Sequence, residues 1–594
     1  MSVASVGVTI VVRARESRVQ GEGSQFVGFH LVKVTEKKED EAPLNIGEIQ
    51  RKLSLWAEQD GERKFYGLYR FLYDMDWLRL AHDYVAQNTG SVTAGCDGIN
   101  MGIFDENLEA NLQQLAEELK SGTFEPFPVR RVYIPKAGGR VRPLGIPSIR
   151  DRIVQEALRM ILEPIYEAGF SQYSFGFRPN RCTMDAVRCI LWSTQENKRF
   201  FWVIEGDISS YFDTINHRKL LKVLRRRIDD KKLLDLIWKF LRAGVMERKL
   251  FRDTKLGTPQ GGIISPLLAN IYLNELDEYM KKYTGLSRRE KFRRRRSGQP
   301  NFVYIRYADD FVVLTNGTKE HAEGLKTELH TFLKERLRLK LSEEKTKITH
   351  LDDGFRFLGF EIQRKRGSRG MGTKVLIPKD AVAKVCARIA DATAARTCQD
   401  SVNFKILALN RIIGGWCRYY QYTSKAATQF HKVEYCTYWR MGHSLGRKLK
   451  IKMPEVNRRY HRSETYATSE YRLLKASQFP SLTYKKRFLK LNPYTTQEEV
   501  SREELSEDTS WGRYESRPGT ADLKPMILER DEHCCQMCGR SVTFKTSQMD
   551  HIKPVRRFKR PVDANHPDNL WTLCIEQCHP EKTKYDRQME SRMQ

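Results

Sequence analysis

The stretch NFVYIRYADDFVVLTN, residues 301–316, decides how this chain is read. It is apolar and rich in β-formers, and Asp309 and Asp310 sit side by side in its middle. Such a run predicts a β-hairpin with the two aspartates at its tip. Burying one carboxylate there is costly, and burying two without a counter-charge is worse. Asp207 ends a second apolar run, RFFWVIEGDISSYFDTIN (199–216). If the two strands are neighbours, three carboxylates converge at one sheet edge. Such a cluster is stable with hard cations bound, and Mg²⁺ favours carboxylate plus phosphate oxygens. Two such ions roughly 3.5–4 Å apart clamp the attacking and leaving oxygens of a phosphoryl transfer. Taken alone, an Asp-Asp pair is more often an ordinary turn, so the surroundings must decide.

The chain has 594 residues, room for about three to five domains. No apolar run approaches the ~18 residues of a membrane-spanning helix, and the N-terminus lacks the basic lead of a secretory signal. A net charge of +29 implies a polyanionic partner, nucleic acid and not membrane. Of twelve cysteines, seven lie singly between Cys96 and Cys436, as expected of reduced thiols in a cytosolic protein. The other five crowd into the last tenth of the chain, which points to metal and not to disulfides.

Residues 1–45 are a polar lead-in without periodicity. FDENLEANLQQLAEELKSG (104–122) predicts an amphipathic helix, with Leu108, Leu112, Leu115 and Leu119 on one face and Gly122 as its stop. VRRVYIPKAGGRVRPLGIP (129–147) predicts two strands around a Gly-Gly turn, residues 151–168 a helix, and GTPQGGIISPLLANIYLNEL (257–276) a Gly/Pro loop feeding a long helix. SRREKFRRRRSGQP (287–300) reads as a basic loop. After about residue 378 the pattern turns helical.

These pieces carry a resemblance. YADD in its apolar setting resembles the catalytic hairpin of reverse transcriptases, and VIEGDISSYFDTINH (203–217) resembles their first catalytic-aspartate block. GTPQGGIISPLLANIYL resembles the block behind the templating base. YIPKAGGRVRPLGIPSIRDRIVQEAL, SFGFRPNRC and SEEKTKITHLDDGFRFLGFEI (342–362) resemble blocks of the group II intron subfamily. The order is kept from about residue 90 to 362, and the chain is identified as a member of the group II intron-encoded proteins, which join a reverse transcriptase to a maturase. The resemblance implies that Asp207, Asp309 and Asp310 bind Mg²⁺ and catalyse polymerisation. It also implies that Phe212 blocks a ribose 2′-OH, that Lys136 and Arg142 grip the incoming triphosphate, that Gln260 lines the nucleotide pocket, and that Lys345 neutralises phosphate near the primer end.

LNRIIGGWCRYYQYTSKAATQFHKVEYCTYWRMGHSLGRK (409–448) resembles the maturase X domain, a helical thumb that binds intron RNA. Residues 380–497 hold 22 Lys/Arg against 7 Asp/Glu, and Trp416, Tyr419, Tyr420, Tyr422, Tyr438 and Trp439 are interleaved with them. Cations hold phosphates and aromatic faces stack on unpaired bases. About half of these aromatics are expected in the helix core.

The C-terminal cysteines fall in pairs, Cys535 and Cys538, then Cys574 and Cys578, a pattern suited to tetrahedral Zn²⁺. With QMDHIKPV and PDNLWTLC between and around them, the segment resembles an HNH endonuclease. By that match Asp550 and His579 hold a divalent cation, His551 is the general base and Asn569 orients its loop. A neutral imidazole suits proton abstraction near pH 7. The second cysteine pair is one residue longer than usual, Cys534 competes with Cys535 as a ligand, and a purely structural zinc ribbon is the alternative.

The expected architecture is multidomain α+β: an N-terminal extension (1–45), right-hand fingers and palm (46–378), an α-helical thumb (379–449), a DNA-binding segment (450–500), a linker (501–522) and an HNH ββα-type nuclease with zinc (523–594). The implied partners are intron RNA, target DNA and dNTPs, with no membrane, in the cytoplasm of a bacterium, with an organelle as the alternative setting. The implied function is splicing assistance followed by target nicking and target-primed reverse transcription. Rival readings are a splicing-only maturase and a domesticated defence-type reverse transcriptase.

Overall fold

The computed structural model describes residues 45–135, 141–247, 250–252, 257, 261–367, 370–462, 464–484, 492–495, 524–544, 546–552 and 569–582. The extension 1–44, the linker 501–522, and Lys136 and Gln260 lie outside them. Among the described residues no helix is long and apolar enough to cross a membrane.

The chain opens with α1 (Ile46–Gln59), α2 (Met75–Ala86) and α3 (Leu108–Ser121). In α3, Leu112, Leu115 and Leu119 face inward, and Gly122 at φ +81° ends the helix in a left-handed cap. Strands β1 (Val129–Pro135) and β2 (Val141–Ile146) pair antiparallel, with Arg142 opposite Ile134 in the ladder. Ser148 caps the next helix, α4 (Ile149–Glu167), through the Asp151 amide. This helix is buried nearly all round, so its charged groups need partners. Arg159 bonds Glu156 and Glu163 at 2.5 Å each, and Glu167 receives Arg178 at 2.6 Å. Helix α5 (Thr183–Ser193) follows.

A mixed α/β centre comes next. Strand β3 (Trp202–Gly206) leads into α6 (His217–Leu224) and α7 (Lys231–Arg242), then short strands β4 (Val245–Glu247) and β5 (Leu250–Arg252), which extend the β1–β2 sheet. Helix α8 (Ser265–Thr284) has Pro266 in its first turn, where a missing amide costs nothing. Helix α9 (Arg288–Arg296) stands where a basic loop was expected: a capping box, Ser287 with Glu290, nucleates it. Strands β6 (Phe302–Tyr307) and β7 (Asp310–Thr315) form the hairpin, followed by α10 (Lys319–Phe332) and β8 (Lys347–His350). The sheet order is β6-β7-β3-β8. Val312, Val313 and Leu314 are buried there, each contributing about 1.5–3 kcal/mol by leaving water.

A three-stranded sheet, β9 (Phe355–Phe357), β10 (Phe360–Gly367) and β11 (Gly370–Leu376), joins this centre to three helices, α11 (Lys379–Ala392), α12 (Val402–Tyr420) and α13 (Ala426–Leu449). One apolar core runs through both: Val203, Ile305 and Val312 of the sheet share it with Ile406, Leu409 and Phe430 of the helices. Five of the six aromatics singled out in the sequence (Trp416, Tyr419, Tyr420, Tyr422 and Tyr438) belong to or pack against that core, more than the expected half. Tyr419 and Tyr420 donate their hydroxyls to the carbonyls of Leu358 and Gly359, which fixes α12 on the β9–β10 turn. Beyond lie α14 (Met453–Tyr460) and a small hairpin, β12 (His461–Arg462) with β13 (Thr465–Tyr466). The chain then returns to its beginning: Tyr484 donates to Asp185 at 2.8 Å, Tyr494 to Glu163 at 2.6 Å and Asn492 to Ser54 at 2.7 Å. The C-terminal module holds α15 (Lys524–Arg530), and β14 (Ser547–His551) paired antiparallel with β15 (Leu570–Cys574).

Candidate functional site

The sheet register brings the first site together. Strand β3 runs antiparallel to β7 with Gly206 opposite Phe311, and β6 closes the hairpin with Tyr307 opposite Asp310. Asp207, one residue beyond Gly206, therefore lies at the same sheet edge as Asp309 and Asp310. Gly206 is required for this register, because a Cβ there would lie 2.2 Å from the Phe311 ring. Asp207 and Asp309 are half-buried and Asp310 is exposed. Carboxylate oxygens on a partly open edge are the donors a hard, partly hydrated cation takes, although among the described residues only the four C-terminal cysteines bring three or more ligand atoms within 4.8 Å of one another. Lys345 reaches Asp207 Oδ2 at 2.8 Å.

The hairpin tip rests on a buried ion pair that the sequence reading passed over. The Arg306 and Asp277 side chains are both fully buried, with Nε–Oδ1 2.8 Å and Nη2–Oδ2 2.6 Å. Arg306 Nη1 also donates to Asn270 Oδ1 at 2.9 Å and to the carbonyl of Ala308 at 3.0 Å. Asn270 and Asp277 are seven residues apart on α8 and so share one face. Ala308 takes φ +56°, a turn conformation that its carbonyl contact helps to hold. From the other side, Gly176 packs so closely that a Cβ would lie 2.4 Å from the Ala308 amide. An arginine in one apolar run and an aspartate in another was the available signal, since neither is tolerated there alone.

A second group gathers beside this edge. The half-buried Phe212 ring meets exposed Phe177 edge-on at 6.4 Å. Gly257 adopts φ +89°, and a Cβ there would lie 2.8 Å from the Phe212 carbonyl. Buried His217 bonds the Gly257 carbonyl through Nε2, and the Gly257 amide donates to Ile215 at 2.9 Å. Gly261, at φ +117°, lies against β2, where a Cβ would come within 2.4 Å of the Gly145 carbonyl. Gly257 is thus held against the Phe212 segment and Gly261 against β2. Lys136 and Gln260 are outside the described residues, as is the side chain of Arg142.

In the C-terminal module, Cys535, Cys538, Cys574 and Cys578 bring their sulfurs within 4.8 Å of one another, with Cys538 and Cys574 4.0 Å apart. Tetrahedral Zn²⁺ with Zn–S near 2.3 Å needs sulfurs about 3.8 Å apart, so the donor set fits. Burial pushes the Cys535 thiol up, but backbone amides of Cys538, Cys574 and Met537 outweigh it and hold it at about 6. The Cys578 amide lowers Cys574, whereas burial and the neighbouring thiols raise Cys578. Cys534 stays outside the cluster in a bridge to Ser541, and Gly539 at φ +69° makes the tight turn that returns Cys538. The longer Cys-x3-Cys spacing is absorbed by a turn at 575–577 before the helical residues 578–582. Asp550 and His551 end β14, with the His551 amide on Asp550 Oδ1 at 2.7 Å. Asn569 is buried beside them, and its carbonyl accepts the Ile552 amide at 2.7 Å. His579 is half-buried on the helical turn that carries Cys578.

Three family models match the chain: reverse transcriptase (RNA-dependent DNA polymerase) over residues 134–362, the group II intron maturase-specific domain over 382–463, and HNH endonuclease over 535–585. Protein YkfC of Escherichia coli K12 is 44% identical over 55% of this chain and 90% of its own length. Group II intron-encoded protein LtrA of Lactococcus lactis is 37% identical over 54% of this chain. A putative COX1/OXI3 intron 2 protein of Saccharomyces cerevisiae is 32% identical over 50%. The chain spans 60% of the length of LtrA and 38% of the yeast protein. A solved chain of a partial Cas6-RT-Cas1–Cas2 complex is similar at TM-score 0.28 and 22% identity over 45% of this chain and 42% of its own, too slight a likeness to carry an argument.

Proposed function

This chain belongs to the group II intron-encoded proteins, with reverse transcriptase, maturase and HNH endonuclease domains, and from that premise we propose that it copies its own intron RNA into DNA at a target site it has itself nicked. The observation that carries the reading is the β3–β7 register, which aligns Asp207 with Asp309 and Asp310. These three carboxylates are assigned to Mg²⁺, which when bound lowers the pKa of a primer 3′-OH and offsets charge on the departing pyrophosphate. Phe212 closes the space under the sugar, admitting H but not OH at C2′. Lys136, Arg142 and Gln260 are assigned to the triphosphate and pocket, and the backbone at Gly261 lets substrate approach closely. Lys345 neutralises phosphate beside the primer end, reached from its place on Asp207.

The three helices α11–α13 serve as the thumb and hold intron RNA during splicing and afterwards in the ribonucleoprotein, and residues 450–500 meet target DNA. In the C-terminal module the four cysteines hold Zn²⁺ as a structural ion, because four sulfurs leave no open position for chemistry. His551 accepts the proton of the water that attacks the target phosphodiester, with Asn569 fixing its strand end and with Asp550 and His579 assigned to a divalent cation. The cytoplasm of a bacterium is the proposed setting. The test is DNA synthesis from a primer on an RNA template, run with and without the intron RNA, beside a splicing assay. Splicing assistance without any primer extension would favour a splicing-only maturase.

A further inference from the structure

Helix α9 buries none of its residues, and its sequence RREKFRRRR carries seven cations against one acid in nine positions. Like charges four apart on a helix destabilise it by about 0.2–0.5 kcal/mol per pair, and Arg289–Arg293 and Lys291–Arg295 are two such pairs. Its acid, Glu290, is committed to the cap, where its carboxylate accepts the Ser287 amide at 2.7 Å. Two cations fasten the helix to the body: Arg294 donates to the Pro300 carbonyl at 3.1 and 3.0 Å, and Lys291 to that of Thr284 at 3.1 Å. Asn301 completes the attachment on the Lys291 carbonyl at 2.9 Å.

The helix is therefore held along one side and presents another. Arg289, Phe292, Arg293 and Arg296, spaced i, i+3, i+4 and i+7, share that outer face and line an open groove of about 800 Å³. All four are exposed, Phe292 by 58%. Glu290 also lines this groove, its carboxylate held by the Ser287 amide and drawn on by Arg293, which leaves the three arginines in excess over one committed acid.

We infer that this outer face of α9 is a docking surface for the phosphate backbone of a folded RNA, the intron that the protein carries. The inference rests on the intron-binding reading above. Guanidinium groups bond phosphate oxygens in pairs, and an exposed phenyl ring stacks on an unpaired base. The three arginines span about 10 Å along the axis at 1.5 Å per residue. Position separates this surface from the template path. Helix α9 attaches at the start of β6, whereas the aspartates lie past its other end, six residues or about 20 Å away at 3.3 Å per residue. A contact at that distance suits an RNA that stays in place while the template advances through the catalytic edge. It also adds a surface outside the basic region 380–497.

The test uses the full chain and a transcript of the intron containing its reading frame. R289Q/R293Q/R296Q should raise Kd more than tenfold near 0.15 M salt and reduce the slope of log Kd against log salt by about 2, at roughly 0.7–0.9 per phosphate contact. R289K/R293K/R296K should keep most of the slope. Extension of a short primer on an unrelated RNA template should stay within twofold for both variants. An unchanged slope, an equal loss of extension, or a loss confined to duplex target DNA would each overturn the inference. If the wild-type protein itself fails to bind the transcript, the intron-binding reading falls, and this one with it; if only the triple variant behaves as wild type, this inference alone falls.

Discussion

Asp277→Ala tests the support beneath the catalytic hairpin. The substitution removes both short bonds to Arg306, at 2.8 and 2.6 Å, from a place where neither side chain touches solvent. Arg306 keeps two neutral acceptors, Asn270 Oδ1 and the Ala308 carbonyl. It cannot escape by losing its proton, because a guanidinium is too basic to be deprotonated inside a protein even where burial acts to lower it. An uncompensated buried charge costs about 3–5 kcal/mol, a large share of a stability of about 5–15 kcal/mol. Removing both charges is different: Asp277→Leu with Arg306→Met replaces the pair by apolar volume, and such swaps are often neutral. The double variant should therefore be more stable than Asp277→Ala alone. It should still extend primers poorly, since Ala308 has lost the donor that holds the tip. The assay is urea unfolding by circular dichroism with slopes compared, followed by primer extension. A loss below about 1 kcal/mol in Asp277→Ala, or a double variant costing as much as both single changes together, would refute the reasoning.

Burial pushes the Asp151 carboxyl up to about 7, although Ser148 and the Phe127 amide draw it down. Its unfolded value is near 3.9, so the native chain keeps a proton that the unfolded chain gives up, and this residue's contribution lowers stability as pH rises from about 4 to 7. Asp151→Asn should flatten that decline, and parallel profiles for variant and wild type would remove this carboxyl from the account. Gly206→Ala should cost about 1–3 kcal/mol and misplace Asp207, because the added methyl overlaps Phe311; near-wild-type unfolding would mean that the ring swings aside freely. Cys574→Ser should lose zinc and unfold the C-terminal module while polymerisation survives, whereas His551→Ala should keep zinc and lose nicking. Metal analysis and a nicking assay separate the two, and retained zinc in the first variant or normal nicking in the second contradicts the assignments.

Local chemistry made much of this molecule legible. Alternation and β-branching marked the hairpin and β3, and the cost of stranded carboxylates said that those strands should meet, as the register shows. What stayed hidden depended on partners distant in sequence. Arg306 and Asp277 look like two unrelated liabilities until α8 crosses the sheet. Helix α9 was hidden by its own charge run, although Ser287-x-x-Glu290 is a legible helix start. Spacing could not choose between Cys534 and Cys535; in the fold Cys535 gathers with the other three cysteines while Cys534 lies in a β-bridge to Ser541. Nor could the sequence show that the segment beyond α14 folds back onto α1 and α4 through Asn492 and Tyr494.

The central claim is that Asp207, Asp309 and Asp310 form one metal-dependent polymerising centre. The most direct measurement is Mg²⁺-dependent extension of a DNA primer on an RNA template by Asp309→Ala/Asp310→Ala, beside binding of the intron transcript and its splicing. The account predicts no detectable extension, with binding and splicing close to wild type. Retained extension by the double variant would contradict it.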